Sequence, residues 1–167
     1  LAWDGWKVLA TDRQADTRIS QGRFGILLET AARVNAGLPG HQGGGNIEVI
    51  DRGAVDALEG LDAAWVDAPC TGSGLLRRHP EVRWIKDEKT LQSLQREQAA
   101  LLKEAAGKVR PGGLLMLTVC SVLRSDEVER AERAARLDDF DRIRDWSLSP
   151  HLAPFGDGFS AVLFRRR

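Results

Sequence analysis

Short apolar runs alternate with longer periodic stretches along this chain, and the two periods predict strands and helices in turn. Trp6-Lys7-Val8-Leu9-Ala10-Thr11-Asp12 reads as a short strand ending in an acid. From about Asp16 to Asn35 the apolar positions, Ile19, Ile26, Leu27 and Val34 among them, predict a helix. Gly37 to Gly45 is a loop that lacks the Lys-Ser/Thr of a phosphate cradle. Ile47 to Asp51 and Ala63 to Asp67 are two further strands, each again ending in Asp. Thr90 to about Val109 makes an amphipathic helix, with Leu91, Leu94, Leu101 and Leu102 near one face and Pro111-Gly112-Gly113 as its stop. Leu114 to Val119 is the most apolar strand, as expected of one buried on both faces. Ser125 to Arg136 reads as a charged helix capped by Ser125. Phe140 to Trp146 and Gly158 to Phe164 read as closing strands, with Arg165-Arg166-Arg167 as a solvated tail.

Strands alternating with helices imply a layered α/β sheet with parallel strands at its centre. Ligands in such sheets sit beyond the carboxyl ends of the strands. Asp12, Asp51, Asp67 and Cys120 lie at or just after such ends. One Asp in such a place is as often a turn former as a ligand, but several reactive groups on one edge are less easily dismissed.

Composition narrows the classes. With 167 residues, 43% hydrophobic and 29% charged, one globular domain over residues 1–167 is expected. The 24 basic and 24 acidic residues cancel, so any affinity for nucleic acid must come from a local patch. The best such patch is Arg77, Arg78, Arg83 and Lys86, interleaved with His79 and Trp84; it suits phosphate contact and base stacking. The bland alternative is a solvated segment in which Trp84 packs inward. Two cysteines make neither a disulfide framework nor a four-cysteine zinc site, and His41 and His151 have no metal-ligand spacing, so no metal is expected. No apolar run approaches the ~20 residues of a membrane span, and the first residues lack a signal-peptide pattern. A reduced cytoplasmic setting without a membrane partner is the expectation.

Two stretches carry the chemistry. In Asp67-Ala68-Pro69-Cys70-Thr71-Gly72-Ser73-Gly74, Pro69 stiffens the exit from a strand, while Gly72 and Gly74 are read as letting the backbone approach a ligand. In Leu117-Thr118-Val119-Cys120-Ser121, a buried strand runs straight into a Cys-Ser pair before a helix, where amides and the helix dipole stabilise a thiolate. The ordinary reading of either cysteine is a core thiol.

Together, Asp67-Ala68-Pro69-Cys70-Thr71-Gly72-Ser73-Gly74, Arg77-Arg78-His79-Pro80, Thr118-Val119-Cys120-Ser121 and Asp157-Gly158-Phe159 resemble the Sun-like (Fmu) family of RNA cytosine-5 methyltransferases. The resemblance covers nearly the whole chain. It implies a Rossmann-like class I methyltransferase sheet, S-adenosylmethionine as cofactor and RNA, expected to be ribosomal, as substrate. It assigns Cys120 as the nucleophile, Cys70 to product release and Asp67 to the target base and the cofactor's vicinity. It gives Asp12 and Asp51 to the cofactor, Asp12 at the ribose, with Asp56 an alternative to Asp51. Thr71 stands where the family has Ser, and Thr118 carries a hydroxyl one place from the family's Thr-Cys.

The family's Cys-Ala-x-Pro-Gly-Gly-Lys cofactor loop and the first, central strand before it are missing from this sequence. The expectation is therefore a partial catalytic domain, weak in cofactor binding and prone to aggregate at an unpaired strand edge. The alternative, from another class, is a catalytically inactive RNA-binding module that keeps the fold. A cysteine hydrolase is disfavoured, since neither cysteine has an evident His partner.

Overall fold

A computed structural model describes residues 6–12, 22–37, 45–85, 87–149 and 156–167. His41, Lys86 and His151, and the first residues of the expected 16–35 helix, lie outside them. The chain forms two compact units, Leu1–Leu58 and Glu59–Arg167.

In the first unit, β1 (Val8–Ala10) runs parallel to β2 (Ile47–Val49), in the register Val8 to Ile47 and Ala10 to Val49. Between them in sequence stands α1 (Gly22–Asn35). Its last residue locks the next strand in place. The Asn35 amide donates to the Ile47 carbonyl at 2.7 Å and accepts from the Ile47 N–H at 2.8 Å, copying a backbone pair where the helix has ended. Ala31 on α1 is buried, whereas Ile26, expected on the apolar face, points outward.

The second unit is a four-stranded sheet with two helices on one face. Its strands are β3 (Leu61–Asp67), β4 (Val109–Val119), β5 (Phe140–Leu148) and β6 (Phe159–Arg166), in the order β3-β4-β6-β5. β3 is parallel to β4, while β6 inserts antiparallel between β4 and β5. Leu115, Leu117 and Val119 of β4 and Val162 and Phe164 of β6 point to one face. There they meet Leu102 and Ala106 of α3 (Glu88–Lys108) and Val128, Ala131 and Ala135 of α4 (Arg124–Ala135). Each Leu or Phe so buried contributes roughly 1.5–3 kcal/mol. α3 starts where Asp87 accepts a hydrogen bond from the Thr90 N–H at 2.8 Å.

Three expectations need correction. α3 ends at Lys108, and Pro111-Gly112-Gly113 lies within β4, not at a helix stop. Here Gly112 has a φ of 76°, and a Cβ on Gly113 would come within 2.9 Å of the Asp62 carbonyl, so the glycines serve a sheet irregularity beside the register shift at Leu61/Ala63. Ser125 lies inside α4, whose N-cap residue is Leu123. The terminal arginines are not a loose tail. Arg165 and Arg166 belong to β6, Arg166 donates to the Val109 carbonyl, and Arg167 pairs with Asp141 at 3.0 Å.

Candidate active site

β3 delivers Asp67 to the carboxyl edge of the sheet, in register with Thr118 of β4. The chain then leaves the strand under close control. The Ala68 N–H donates to the Thr118 carbonyl at 3.0 Å, and buried Gln98 of α3 donates from Nε2 to the Pro69 carbonyl at 2.8 Å. Cys70 follows, half-buried against the core. Gly72 adopts a left-handed φ of 70°, and a short 3-10 turn spans Ser73–Leu75. β4 delivers Cys120, also half-buried, one residue beyond its end. Neither cysteine is in a disulfide.

The two cysteine-bearing loops are joined side by side. Gly74 N–H donates to the Cys120 carbonyl at 3.1 Å. Behind the cysteines, the Ser121 hydroxyl lies 2.9 Å from that of Ser73 and 3.3 Å from that of Thr71. Ser73 Oγ accepts from the Val122 N–H at 3.1 Å and Ser121 Oγ from the Leu123 N–H at 3.0 Å. These hydroxyls satisfy the two amides that lead into α4. A third segment closes the group: Gly158 N–H donates to the Gly74 carbonyl at 2.8 Å, and Ser160 Oγ donates to the Ser121 carbonyl at 2.9 Å. A Cβ on Gly74 would sit 2.0 Å from the Gly158 carbonyl oxygen. Gly74 thus serves the crossing of two loops, where a ligand contact was expected.

Charge is organised around the same loops. Arg78 grips Asp157 with two parallel hydrogen bonds, one from Nε at 3.1 Å and one from Nη2, and Arg77 approaches the same carboxylate at 3.9 Å. The guanidinium of Arg78 holds the Asp157 carboxyl below the usual carboxylate range. Burial pushes the Cys120 thiol above its ordinary value; the carboxylates of Asp67 and Asp157 push the same way, and Arg78 opposes them.

The remaining expected residues fall into two groups. Arg83 and Trp84 lie on α2 (Val82–Ile85), with the guanidinium 5.4 Å from the indole centroid. Trp84 is 82% exposed, so the inward-packing alternative is wrong. In the first unit, Asp12 and Asp51 each lie two residues beyond the ends of the parallel strands β1 and β2, which the Ile50 N–H to Ala10 carbonyl bond holds level at 2.9 Å. Asp51 precedes the 3-10 turn Arg52–Ala57, but its carboxylate does not cap that turn. Both residues thus stand at adjacent carboxyl ends, the edge at which ligands bind in sheets of this kind. Asp56 lies within the turn itself.

Sequence reading missed the hydroxyls of Ser73 and Ser121, the partner of Asp157, and Trp65. Only the i, i+2 spacing of Trp65 and Asp67 signalled that those two share a face.

Comparison with known proteins decides the family. The sequence profile of the family described as 16S rRNA methyltransferase RsmB/F matches residues 42–152, more than half of the chain. The chain belongs to this family. A candidate methyltransferase of Mycobacterium tuberculosis is 34% identical to this RsmB/F-family chain over 119 residues, covering 71% of the chain and 26% of that protein. The ribosomal RNA small subunit methyltransferase B of Klebsiella pneumoniae is 33% identical over 72 residues, covering 43% of the chain and 17% of that protein. The chain therefore spans about a quarter or less of the length of these relatives. NSun6 from Pyrococcus horikoshii, solved with an S-adenosylmethionine analogue, superposes with a TM-score of 0.72 at 18% identity, covering 96% of the chain and 41% of that structure. A structure described as a SAM-dependent methyltransferase of Methanosarcina mazei superposes at 0.57 with 15% identity, covering 99% of the chain and 84% of that structure. The fold is that of the Rossmann-like methyltransferases, and S-adenosylmethionine is the methyl donor of the family. Among the described residues, no helix is long and apolar enough to cross a membrane.

Proposed function

We propose that this chain is the catalytic part of an RNA cytosine-5 methyltransferase that acts on ribosomal RNA in the cytoplasm through a covalent cysteine–cytosine adduct. The observation that carries this reading is the hydrogen-bonded joining of the Cys70 and Cys120 loops at the strand ends beside Asp67.

Carbon 5 of cytosine is a weak nucleophile. Addition of the Cys120 thiolate at carbon 6 makes the ring an enamine that accepts a methyl group at carbon 5. Asp67, at the end of β3, accepts a hydrogen bond from the ring N–H that forms when the ring nitrogen takes a proton from solvent as the thiolate adds. Water takes the carbon 5 proton, and the electron pair left behind re-forms the 5,6 double bond and expels the Cys120 thiolate from carbon 6; Cys70 serves that release. S-adenosylmethionine supplies a methyl group made electrophilic by its sulfonium; Asp12, and Asp51 rather than Asp56, hold its adenosine. Arg77, Arg78, Arg83 and Trp84 receive the RNA, whose target base must leave its stack to expose carbon 6.

The test uses the intact gene product that carries this chain, tritiated S-adenosylmethionine and ribosomal RNA. Label is expected in cytosine; Cys120→Ser should abolish it and Cys70→Ala should accumulate a protein–RNA adduct stable to denaturant. RNA binding without any labelling would instead identify a binding module, and labelling by the Cys120→Ser protein would refute the nucleophile.

A further inference from the structure

We propose that Trp65 and Thr118 form a relay that sets the orientation of the Asp67 carboxylate, with Thr118 a positioning residue for the transfer; the inference rests on the role given to Asp67 above. Trp65 and Asp67 are two residues apart on β3 and share a face, and Thr118 is the register partner of Asp67 on β4. The Trp65 indole Nε1 donates to Thr118 Oγ1 at 2.9 Å. An indole N–H only donates, so Thr118 Oγ1 must accept, and its single hydroxyl hydrogen is left to point elsewhere. Two acceptors lie in reach: Asp67 Oδ1 at 3.1 Å and the Val66 carbonyl at 3.4 Å. The nearer acceptor is also the charged one, which makes the stronger bond. The hydrogen therefore goes to Asp67.

The arrangement is not one that solvent would impose. Trp65 is 63% exposed, so water was available to its N–H, yet it turns to a hydroxyl with 0% exposure. The hydroxyl sits in the sheet, where strand register fixes it. The relay engages one carboxylate oxygen, Oδ1, and directs the other, Oδ2, as the acceptor left for a substrate group. A carboxylate rotating freely about its terminal torsion has two equivalent oxygens and a broad range of angles. One held by Thr118 presents a single oxygen at a set angle, and a misplaced catalytic group costs on the order of tenfold to a hundredfold in rate.

Three variants test the relay in the intact gene product. Thr118→Val keeps the shape and removes the hydroxyl, Thr118→Ser restores it, and Trp65→Phe removes the donor that orients it. Thr118→Val should lower kcat at least about tenfold, with KM for RNA and for S-adenosylmethionine within about twofold. Thr118→Ser should recover most of kcat, and Trp65→Phe should lower kcat less than Thr118→Val does. A readout independent of activity is solvent exchange of the Trp65 indole N–H, followed by nitrogen-15 NMR. It should be slow in the wild type and in Thr118→Ser, and fast in Thr118→Val. The relay is overturned if Thr118→Val keeps full kcat while Asp67→Asn is inactive, if Val and Ser at position 118 are equally slow, or if indole exchange is alike in all variants. Full activity in Asp67→Asn would instead overturn the role of Asp67 itself, and the relay with it.

Discussion

Cys120 lies among charges of both signs, and its reactivity is set by their balance. Burial and the carboxylates of Asp67 and Asp157 raise its pKa, while Arg78 lowers it. Only the thiolate reacts, so a raised pKa moves its reactivity to higher pH. Asp157→Asn removes a negative neighbour and should move the midpoint of Cys120 alkylation to lower pH. Arg78→Ala removes the opposing cation and should move it to higher pH. Iodoacetamide rates across a pH series, in a Cys70→Ala background with the modification at Cys120 read by peptide mass spectrometry, measure both shifts. A midpoint that does not move in Asp157→Asn would disprove this balance. Arg78 has a second bearing on function. On the proposed function, the RNA phosphate that it receives must compete with Asp157, which engages it here.

At the scale of elements, the site depends on three segments that cross rather than on any one helix or strand. Gly74 is the crossing point: its N–H holds the Cys120 carbonyl, and its own carbonyl accepts from Gly158. Gly74→Ala would drive a methyl group into the Gly158 backbone, which cannot swing aside as a flexible side chain can. Overpacking of this kind costs typically ~1–3 kcal/mol, and the larger value is expected here. Urea unfolding would measure the loss, and Cys120 alkylation would report loosening of the loop beside it. Gly107, whose added Cβ meets nothing within 4 Å, is the control: its replacement by Ala should leave stability equal or higher.

For the molecule as a whole, the second unit carries the main apolar core. β4 and β6 are each paired on both sides, and the residues they bury against α3 and α4 belong to one cluster. Leu117, fully buried at the middle of that cluster, should cost ~2–5 kcal/mol on replacement by Ala. Ile143 on the edge strand β5 is 45% exposed, and its replacement by Ala should cost well under half as much. Urea midpoints of the two variants would measure the contrast; equal losses would mean that β5 is covered in solution. Among the described residues, the first unit pairs two short strands, and a two-stranded pairing is marginal in water. Backbone amides of β1 and β2 should therefore exchange faster than those of β4 and β6.

Much of this was legible in the sequence because it is local. Strand and helix periods located β3 and α3 to within two residues and the second half of β4, and the Asp67–Gly74 and Thr118–Ser121 stretches marked the loops that meet at the candidate site. Stops and caps were less legible, because propensity competes with tertiary pairing. Pro111-Gly112-Gly113 has the composition of a helix stop but joins a strand, and Ser125 has the side chain of a cap but lies two residues too late. What no local pattern contains is pairing between residues about fifty to eighty places apart. Asp67 meets Thr118, Ser73 meets Ser121, and Arg78 meets Asp157 because β3 lies parallel to β4 and β6 enters antiparallel beside it. Periodicity tells which face a side chain takes. Only strand order and register tell which distant residue it finds there, and the orientation of Asp67 and the charge around Cys120 are both of that second kind.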